Sequence, residues 1–239
     1  LQQRFDAPVD AIALRSDGLV IACTSNVFGN SWDGGIVVIA PGQFGQSTGF
    51  QNVPTPSGCT DVAFVGSAGT AIAVSCDDGN VAIYNLNGHG INGVPVKLFT
   101  DHENSVTSVS TSVAQPGNLL SASMDCSIVQ YSTDGTDSSS VHEFKGHHGA
   151  VWDVEYSAAS PSSFASAGQD GAVKLWDERA KTCASTLPHA SPMFCVAWLP
   201  GAAPLLAAAG EEGDILIYDL RSPQAAAHTF SAHNDSVLR

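Results

Sequence analysis

Residues 146–177 read GHHGAVWDVEYSAASPSSFASAGQDGAVKLWD. Apolar and polar residues alternate from Trp152 to Tyr156, and a second, mainly apolar run extends from Ala172 to Trp176. Such alternation is typical of half-buried β-strands. The turn at Asp170-Gly171 precedes the second run, which is the chemistry of a β-hairpin. The stretch therefore predicts a small antiparallel sheet.

An acidic turn followed by an alternating strand recurs along the chain. The pattern reads DGGIVVI from Asp33, DGNVAIY from Asp78, DCSIVQY from Asp125, DGAVKLW from Asp170 and EGDILIY from Glu212. Successive acidic residues are separated by 45, 47, 45 and 42 residues. A period of this kind predicts a repeat architecture in which each unit packs on the next.

Histidines form a second register. His102, His147 and His189 each precede an aromatic residue by 29 positions, and these aromatic residues are Tyr131, Trp176 and Tyr218. Each histidine also lies four residues before an apolar strand. His233 and Val237 repeat the spacing of four, whereas the first two units lack the histidine. The chain therefore contains five units and the start of a sixth.

These residues resemble the WD40 repeat family, in which a histidine, a serine, an aspartate and a tryptophan of one repeat are joined by hydrogen bonds. The fourth unit is the best copy, and the matching residues are His147, Ser166, Asp170 and Trp176. The third unit keeps His102, Ser121 and Asp125 but has Tyr131 at the tryptophan position. The fifth unit has Ala208 and Glu212 where the family has serine and aspartate.

The resemblance implies an all-β WD40 β-propeller. We expect a single domain over residues 1–239 that is incomplete at its C-terminus, because the family typically has seven blades and about 80 further residues would be needed. The expected blades cover approximately residues 8–40, 55–88, 102–135, 147–180 and 189–222, with the start of another at 233–239.

Composition restricts the partners. Nine Lys and Arg against 23 Asp and Glu give a formal net charge of −14, while 44% of residues are hydrophobic. The hydrophobic content argues against disorder, and the charge argues against direct nucleic-acid binding and favours basic protein partners. No apolar stretch approaches the roughly 18 residues of a transmembrane helix, so we expect no membrane association.

The six cysteines form no CxxC pair, and most lie in apolar runs, so we expect free buried thiols in a reducing compartment. Together with the family resemblance, this suggests a cytoplasmic and nuclear protein.

Several residue groups resemble active sites. His147, Ser166 and Asp170 are the residue types of a nucleophilic triad, but His102, Ser121 and Asp125 repeat them in the neighbouring unit. A structural network explains such repetition better than catalysis does. His147-His148 lacks further metal ligands at workable spacing, and no phosphate-binding glycine motif is present. We therefore predict no catalytic, cofactor or metal site and no enzyme.

The first unit is atypical. Residues 26–32 read as an inserted loop with two aromatic residues, Phe28 and Trp32. Exposed aromatic side chains are favoured interface anchors, although Trp32 could instead fold back over the blade edge.

Beyond the WD40 pattern, RSDG from Arg15, FVGSAGTAIAVSCDDGNVAIYNL from Phe64 and DHENSVTSVS from Asp101 are similar to the family of methylosome WD-repeat subunits. That resemblance implies a non-catalytic adaptor in a hetero-oligomer. Its partner would be a type II protein arginine methyltransferase, and its substrates would be basic histone or spliceosomal-protein tails. By position, Trp32 would be the docking anchor and Phe28 its support.

Two alternative functions remain open. Trp176-Asp177-Glu178-Arg179 and Tyr218-Asp219-Leu220-Arg221 resemble the W/Y-D-x-R motifs of cullin-type ubiquitin-ligase substrate receptors. In that hypothesis Arg179 and Arg221 bind a propeller adaptor, whereas in the simpler interpretation they make local ion pairs. The other alternative is a structural propeller of the nuclear pore or of transport machinery.

Overall fold

The computed structural model describes residues 8–28, 31–43, 50–134, 140–201, 204–223, 225–231 and 233–238. At positions 27, 28, 31 and 32 it describes the backbone but not the side chains. Within these residues the chain forms β-strands and turns, and the strands assemble into five antiparallel sheets. The predicted all-β class is confirmed.

Each sheet is built from strands that follow one another in the chain. The first contains β1 (Val9–Leu14), β2 (Val20–Phe28), β3 (Ser31–Ile39) and β4 (Phe50–Thr55). The second contains β5 (Cys59–Val65), β6 (Ala71–Cys76), β7 (Val81–Asn87), the short β8 (Gly90–Ile91) and β9 (Lys97–Phe99), of which β8 and β9 both pair with β7.

The other three sheets have four strands each. The third contains β10 (Val106–Thr111), β11 (Asn118–Ser123), β12 (Ser127–Ser132) and β13 (Ser140–Lys145). The fourth contains β14 (Val151–Tyr156), β15 (Ser163–Gly168), β16 (Ala172–Asp177) and β17 (Thr182–Pro188). The fifth contains β18 (Met193–Trp198), β19 (Leu205–Gly210), β20 (Asp214–Asp219) and β21 (His228–Ser231).

Alternation places the two faces of each sheet against different neighbours. In β7, Ala82 and Tyr84 pack in a cluster with residues of the first sheet. Val81 and Ile83 point the other way and pack with Val106 and other residues of the third sheet. Because successive side chains of a strand point to opposite faces, one strand contributes to two cores. This is how stacked blades share their apolar surface.

The first strands of the five sheets, β1, β5, β10, β14 and β18, pack side by side in chain order. They line a central cavity of about 800 Å³, to which all five contribute residues. This arrangement is consistent with a β-propeller whose blades radiate from a channel.

Antiparallel connection puts alternate turns on opposite faces of the propeller. We call the face with the turns between second and third strands the upper face. The turns at Asp78, Asp125 and Asp170 lie there. The lower face carries the turns that join first to second and third to fourth strands.

The fourth strands lie between the repeat units that the sequence indicates. The expected blades ended near residues 40, 88, 135, 180 and 222, yet β4, β13 and β21 follow those positions and complete their sheets. The alternation of apolar and polar residues is weak in these outer strands, because one edge of each strand faces solvent. All four described side chains of β21 are exposed.

The first blade differs from the expectation of a loop over residues 26–32. In the structure β2 and β3 are an extended hairpin, with backbone pairing of Asn26 to Asp33, residue 27 to residue 32, and Phe28 to Ser31. Asp33 therefore lies within β3, unlike Asp125 and Asp170 in their turns. The polar and glycine residues suggested a loop, but pairing between β2 and β3 includes them in a two-stranded β-ribbon.

The cysteines are free thiols, and Cys23, Cys59 and Cys76 are buried together in one core cluster. Cys59 and Cys76 face each other across β5 and β6. Hydrogen bonding to Cys23, together with burial, raises the pKa of Cys59 to about 12. The other three cysteines are half-buried.

Residues 233–238 continue the pattern of the preceding repeats. The backbone oxygens of His233 and Asp235 approach Gly213 as those of His189 and Ser191 approach Gly171. Val237 N–H donates to Gly210 O at 3.0 Å, which ties the segment to the fifth blade.

Candidate functional site

The fourth blade contains a four-residue hydrogen-bond network at the upper face. Trp176 Nε1 donates to Ser166 Oγ at 2.8 Å, Ser166 Oγ lies 2.7 Å from His147 Nε2, and His147 Nδ1 lies 2.9 Å from Asp170 Oδ1. Asp170 also accepts the His148 N–H at 2.9 Å. Burial lowers the pKa of His147, so the imidazole is held neutral between a hydroxyl and a carboxylate.

The third blade repeats three members of this network. His102 Nδ1 lies 2.8 Å from Asp125 Oδ2, and His102 Nε2 lies 2.6 Å from Ser121 Oγ. Ser127 Oγ donates to Asp125 Oδ1 at 2.6 Å. Tyr131 occupies the tryptophan position, but its buried hydroxyl has no hydrogen-bond partner among the described residues.

The fifth blade lacks the network, because Ala208 has no hydroxyl. Here Ser191 Oγ donates to the Glu212 carboxylate, and Ser191 N–H donates to His189 Nδ1 at 3.3 Å. The structure therefore brings together the predicted residues of the third and fourth units and not those of the fifth.

The buried position of the serines decides what these networks do. Ser121 and Ser166 each have 0% of their surface exposed. A nucleophile must reach its substrate, and neither hydroxyl can. The networks therefore join the loop before each blade to its second and third strands.

Two further aspartates tie neighbouring blades together. Asp61 accepts the N–H of Val62 at 2.8 Å and that of Val109, in the next blade, at 2.9 Å. Asp153 accepts Val154 N–H and, from the next blade, Val196 N–H, both at 2.9 Å. Sequence reasoning missed these residues; the signal was an aspartate at the third position of the first strand in two units.

The extended hairpin of the first blade projects from the upper face. A Cβ on Gly34 would lie 2.6 Å from Thr24 O and 2.7 Å from Ser57 O, so the base of the hairpin packs against the loop that enters the second blade. Phe28 and Trp32 lie beyond this base, and their side chains are outside the described part of the structure. Their role as anchors stays a prediction.

Arg179 and Arg221 lie at the ends of the third strands, on the lower face. Each donates through Nε to the aspartate two residues earlier, Asp177 at 3.1 Å and Asp219 at 2.9 Å. Their side chains are 78% and 68% exposed. The inter-blade contact in this motif belongs instead to Glu178, which accepts Gln130 Nε2 at 2.8 Å.

In the described ranges, no group of three or more His, Cys, Asp or Glu residues is placed to hold a metal ion. No helix in that part of the chain is long and apolar enough to cross a membrane.

Comparison with known proteins identifies the repeats. The family described as WD40, "WD domain, G-beta repeat", matches residues 86–132 and 138–177, which are therefore WD40 repeats. "Methylosome protein WDR77" of Xenopus laevis is 26% identical over 236 residues. That alignment covers 98% of this chain and 56% of the relative, so the chain spans little more than half of the relative's length.

Proposed function

We propose that this chain, a WD40-repeat protein, is a non-catalytic adaptor that binds a type II protein arginine methyltransferase and presents basic substrates to it. The observation that carries the proposal is the upper-face hairpin of β2 and β3. The proposal also rests on the similarity to Methylosome protein WDR77, which extends along 98% of the chain.

The hairpin has the properties of a docking element. Five residue pairs, from Thr24–Gly35 to Phe28–Ser31, extend it beyond Cys23–Ile36. The corresponding hairpin of the third blade ends its pairing at Ala122–Ile128. The backbones of Phe28 and Trp32 belong to this paired ribbon, and aromatic side chains are favoured interface anchors. We therefore propose Trp32 as the main anchor and Phe28 as its support.

The charge of the chain suits the proposed substrates. Its net charge of −14 would attract arginine- and lysine-rich tails and increase their association rate at low salt. Such tails are found in the cytoplasm and the nucleus, where we propose that the protein acts. The buried serines of the two networks support the non-catalytic part of the proposal.

Removal of the hairpin tip tests the docking step. Replacement of residues 27–32 by Asn-Gly would close β2 onto β3 with a two-residue turn, because Asn26 and Asp33 are directly paired. We expect this variant, co-expressed with the methyltransferase, to lose co-purification while its thermal unfolding stays within a few degrees of the parent. Trp32→Ala alone is expected to weaken co-purification.

The double variant Arg179→Ala/Arg221→Ala is the matched control on the lower face. It should co-purify with the methyltransferase as the parent does. If the trimmed chain still bound, or if it unfolded, the proposed docking role of the hairpin would be wrong.

The same control tests the ligase-receptor alternative. Each arginine is exposed but already paired with an aspartate of its own turn. Capture of a ligase adaptor by the parent and not by the double variant would favour the alternative. A double variant that loses both the adaptor and the methyltransferase would contradict a specific role of the two arginines.

A further inference from the structure

A second cavity opens at the upper end of the central channel. It has a volume of about 500 Å³ and shares Asp10 and Asp153 with the channel below. Half of its lining residues occupy the same position in successive blades, the second residue of the first strand. They are Asp10, Thr60, Thr107, Trp152 and Phe194. We call this cavity the channel mouth.

Trp152 and Phe194 form an aromatic corner on one side of the channel mouth. Their ring centroids are 5.9 Å apart and their planes meet at 84°. Trp152 Nε1 donates to Gln169 Oε1 at 2.8 Å, which fixes the indole. Because Trp152 and Phe194 belong to adjacent blades, the corner is held by the blade packing itself. Both rings are only half-buried, so part of their surface remains accessible.

Acidic side chains line the channel mouth and the channel below it. Asp10 and Asp153 line the channel mouth, and Asp61 and Glu155 line the channel below it. Among the described residues that line the two cavities there is no Lys, Arg or His. The inter-blade hydrogen bonds hold the Asp61 and Asp153 carboxylates in place. A concave site with carboxylates and low-dielectric walls concentrates cations.

The threonine hydroxyls of the channel mouth already donate hydrogen bonds to backbone oxygens. Thr60 Oγ1 donates to Val106 O at 2.5 Å, and Thr107 Oγ1 donates to Val151 O at 2.6 Å. The chemistry that the channel mouth offers a ligand is therefore an aromatic surface beside carboxylates.

We propose that the channel mouth binds an arginine side chain of an extended basic peptide, with the guanidinium against Trp152 and Phe194 and near Asp10. The proposal deepens the proposed function, since it names the group by which basic substrates are held. Arginine fits better than lysine, because a guanidinium is planar, stacks on aromatic rings and is less strongly hydrated than an ammonium group.

Fluorescence anisotropy with the intact chain tests the proposal. The probe is a fluorescein-labelled peptide of alternating glycine and arginine, compared with peptides in which citrulline or lysine replaces every arginine. We expect saturable binding of the arginine peptide, none of the citrulline peptide, and weaker binding of the lysine peptide. Equal binding of the arginine and lysine peptides would contradict the assignment to arginine.

Three variants locate the site. Trp152→Ala should weaken binding about tenfold, the scale of a partly desolvated cation–π contact. Asp10→Asn should weaken it about threefold, and because Asp10 is exposed this variant tests the site even if Trp152→Ala unfolds. Glu143→Gln makes the same charge change on the outer strand β13 and should bind as the parent does. Unchanged binding by folded Trp152→Ala and by Asp10→Asn would overturn the proposal.

Separate variants test docking through the hairpin and arginine binding at the channel mouth, so either proposal can be contradicted without the other. Trp152→Ala should still co-purify with the methyltransferase, and the chain trimmed at residues 27–32 should still bind the arginine peptide. If the trimmed chain alone fails to co-purify, the hairpin is the docking element whether or not the channel mouth binds arginine.

Discussion

Trp176 Nε1 donates a 2.8 Å hydrogen bond to Ser166 Oγ and so extends the histidine network of the fourth blade to the third strand. In the third blade Tyr131 stands at the same position, and no such bond is formed in the described residues. The link to the third strand is therefore made by Trp176 in the fourth blade and by Ser127, whose hydroxyl donates to Asp125, in the third. The difference has measurable consequences for stability.

Loss of the indole donor should destabilise the fourth blade. Trp176→Phe keeps an aromatic ring but leaves Ser166 with one partner fewer and a smaller side chain in the core. We expect the free energy of unfolding, measured by urea titration, to fall by about 2 kcal/mol. Tyr131→Phe is the matched control, because it removes a buried hydroxyl without a partner, and it should raise that free energy by about 1 kcal/mol. Equal losses in the two variants would contradict the difference between the networks.

Cys126 is a second departure from the repeat. It has φ of 73°, and the corresponding turn residues Gly79, Gly171 and Gly213 have φ of 88°, 69° and 79°. A left-handed conformation costs free energy for a residue with a Cβ and costs glycine almost none. Glycine loses more backbone entropy on folding, but this loss is smaller than the conformational cost that the substitution removes. Cys126→Gly should therefore stabilise the chain by about 0.5–1 kcal/mol and raise its melting temperature.

The reverse change provides the control for Cys126→Gly. A Cβ on Gly171 would lie 2.6 Å from His189 O, so Gly171→Ala should lower the melting temperature. A fall in the melting temperature of Cys126→Gly would show that this turn is not strained.

Glu155 should make stability depend on pH. Burial, with a smaller contribution from Asp153, raises the pKa of Glu155 to about 7, although its Oε2 accepts Trp198 N–H at 2.7 Å. A raised pKa means that the folded state binds a proton more tightly than the unfolded state. The stabilisation is therefore present below the unfolded pKa of about 4.5 and is lost as the pH rises to about 7.

Glu155→Gln isolates this contribution, since its amide oxygen can still accept the Trp198 N–H. We expect the variant to be more stable than the parent by about 1 kcal/mol at pH 8 and close to it at pH 5, when melting temperatures are compared. A difference that does not change between pH 5 and pH 8 would contradict the prediction.

Gly34 sets the position of the hairpin. Because an added Cβ would meet backbone atoms of Thr24 and Ser57 rather than flexible side chains, Gly34→Ala should destabilise the chain by about 1–3 kcal/mol in thermal unfolding. Gly93→Ala is the control, since the nearest atom to its Cβ would be Val53 Cγ1 at 3.7 Å. If both alanine variants had the melting temperature of the parent, the base of the hairpin would be less tightly packed than the structure shows.

Much of the fold was predictable because its signals are local. The turns at Asp78 and Asp170 and the alternating strands after them depend on residues that are close in the chain. The His147 network was also predicted, because its four residues match the motif of the WD40 repeat that the chain resembles. The hairpin of the first blade was predicted as a loop, since its polar composition hides a backbone pairing between β2 and β3 whose base lies close to Ser57, in the loop that enters the second blade.

The sequence by itself determined the number of units present and the alternating strands beside the acidic turns, because turn conformation and side-chain alternation act over a few residues. Its resemblance to the WD40 repeat located the histidine networks of the third and fourth units. The tertiary structure alone decided that Asp61 and Asp153 tie blades together and that Trp152 and Phe194 meet at the channel mouth. These contacts join residues more than 40 positions apart, and their distances follow from how the blades pack around the channel.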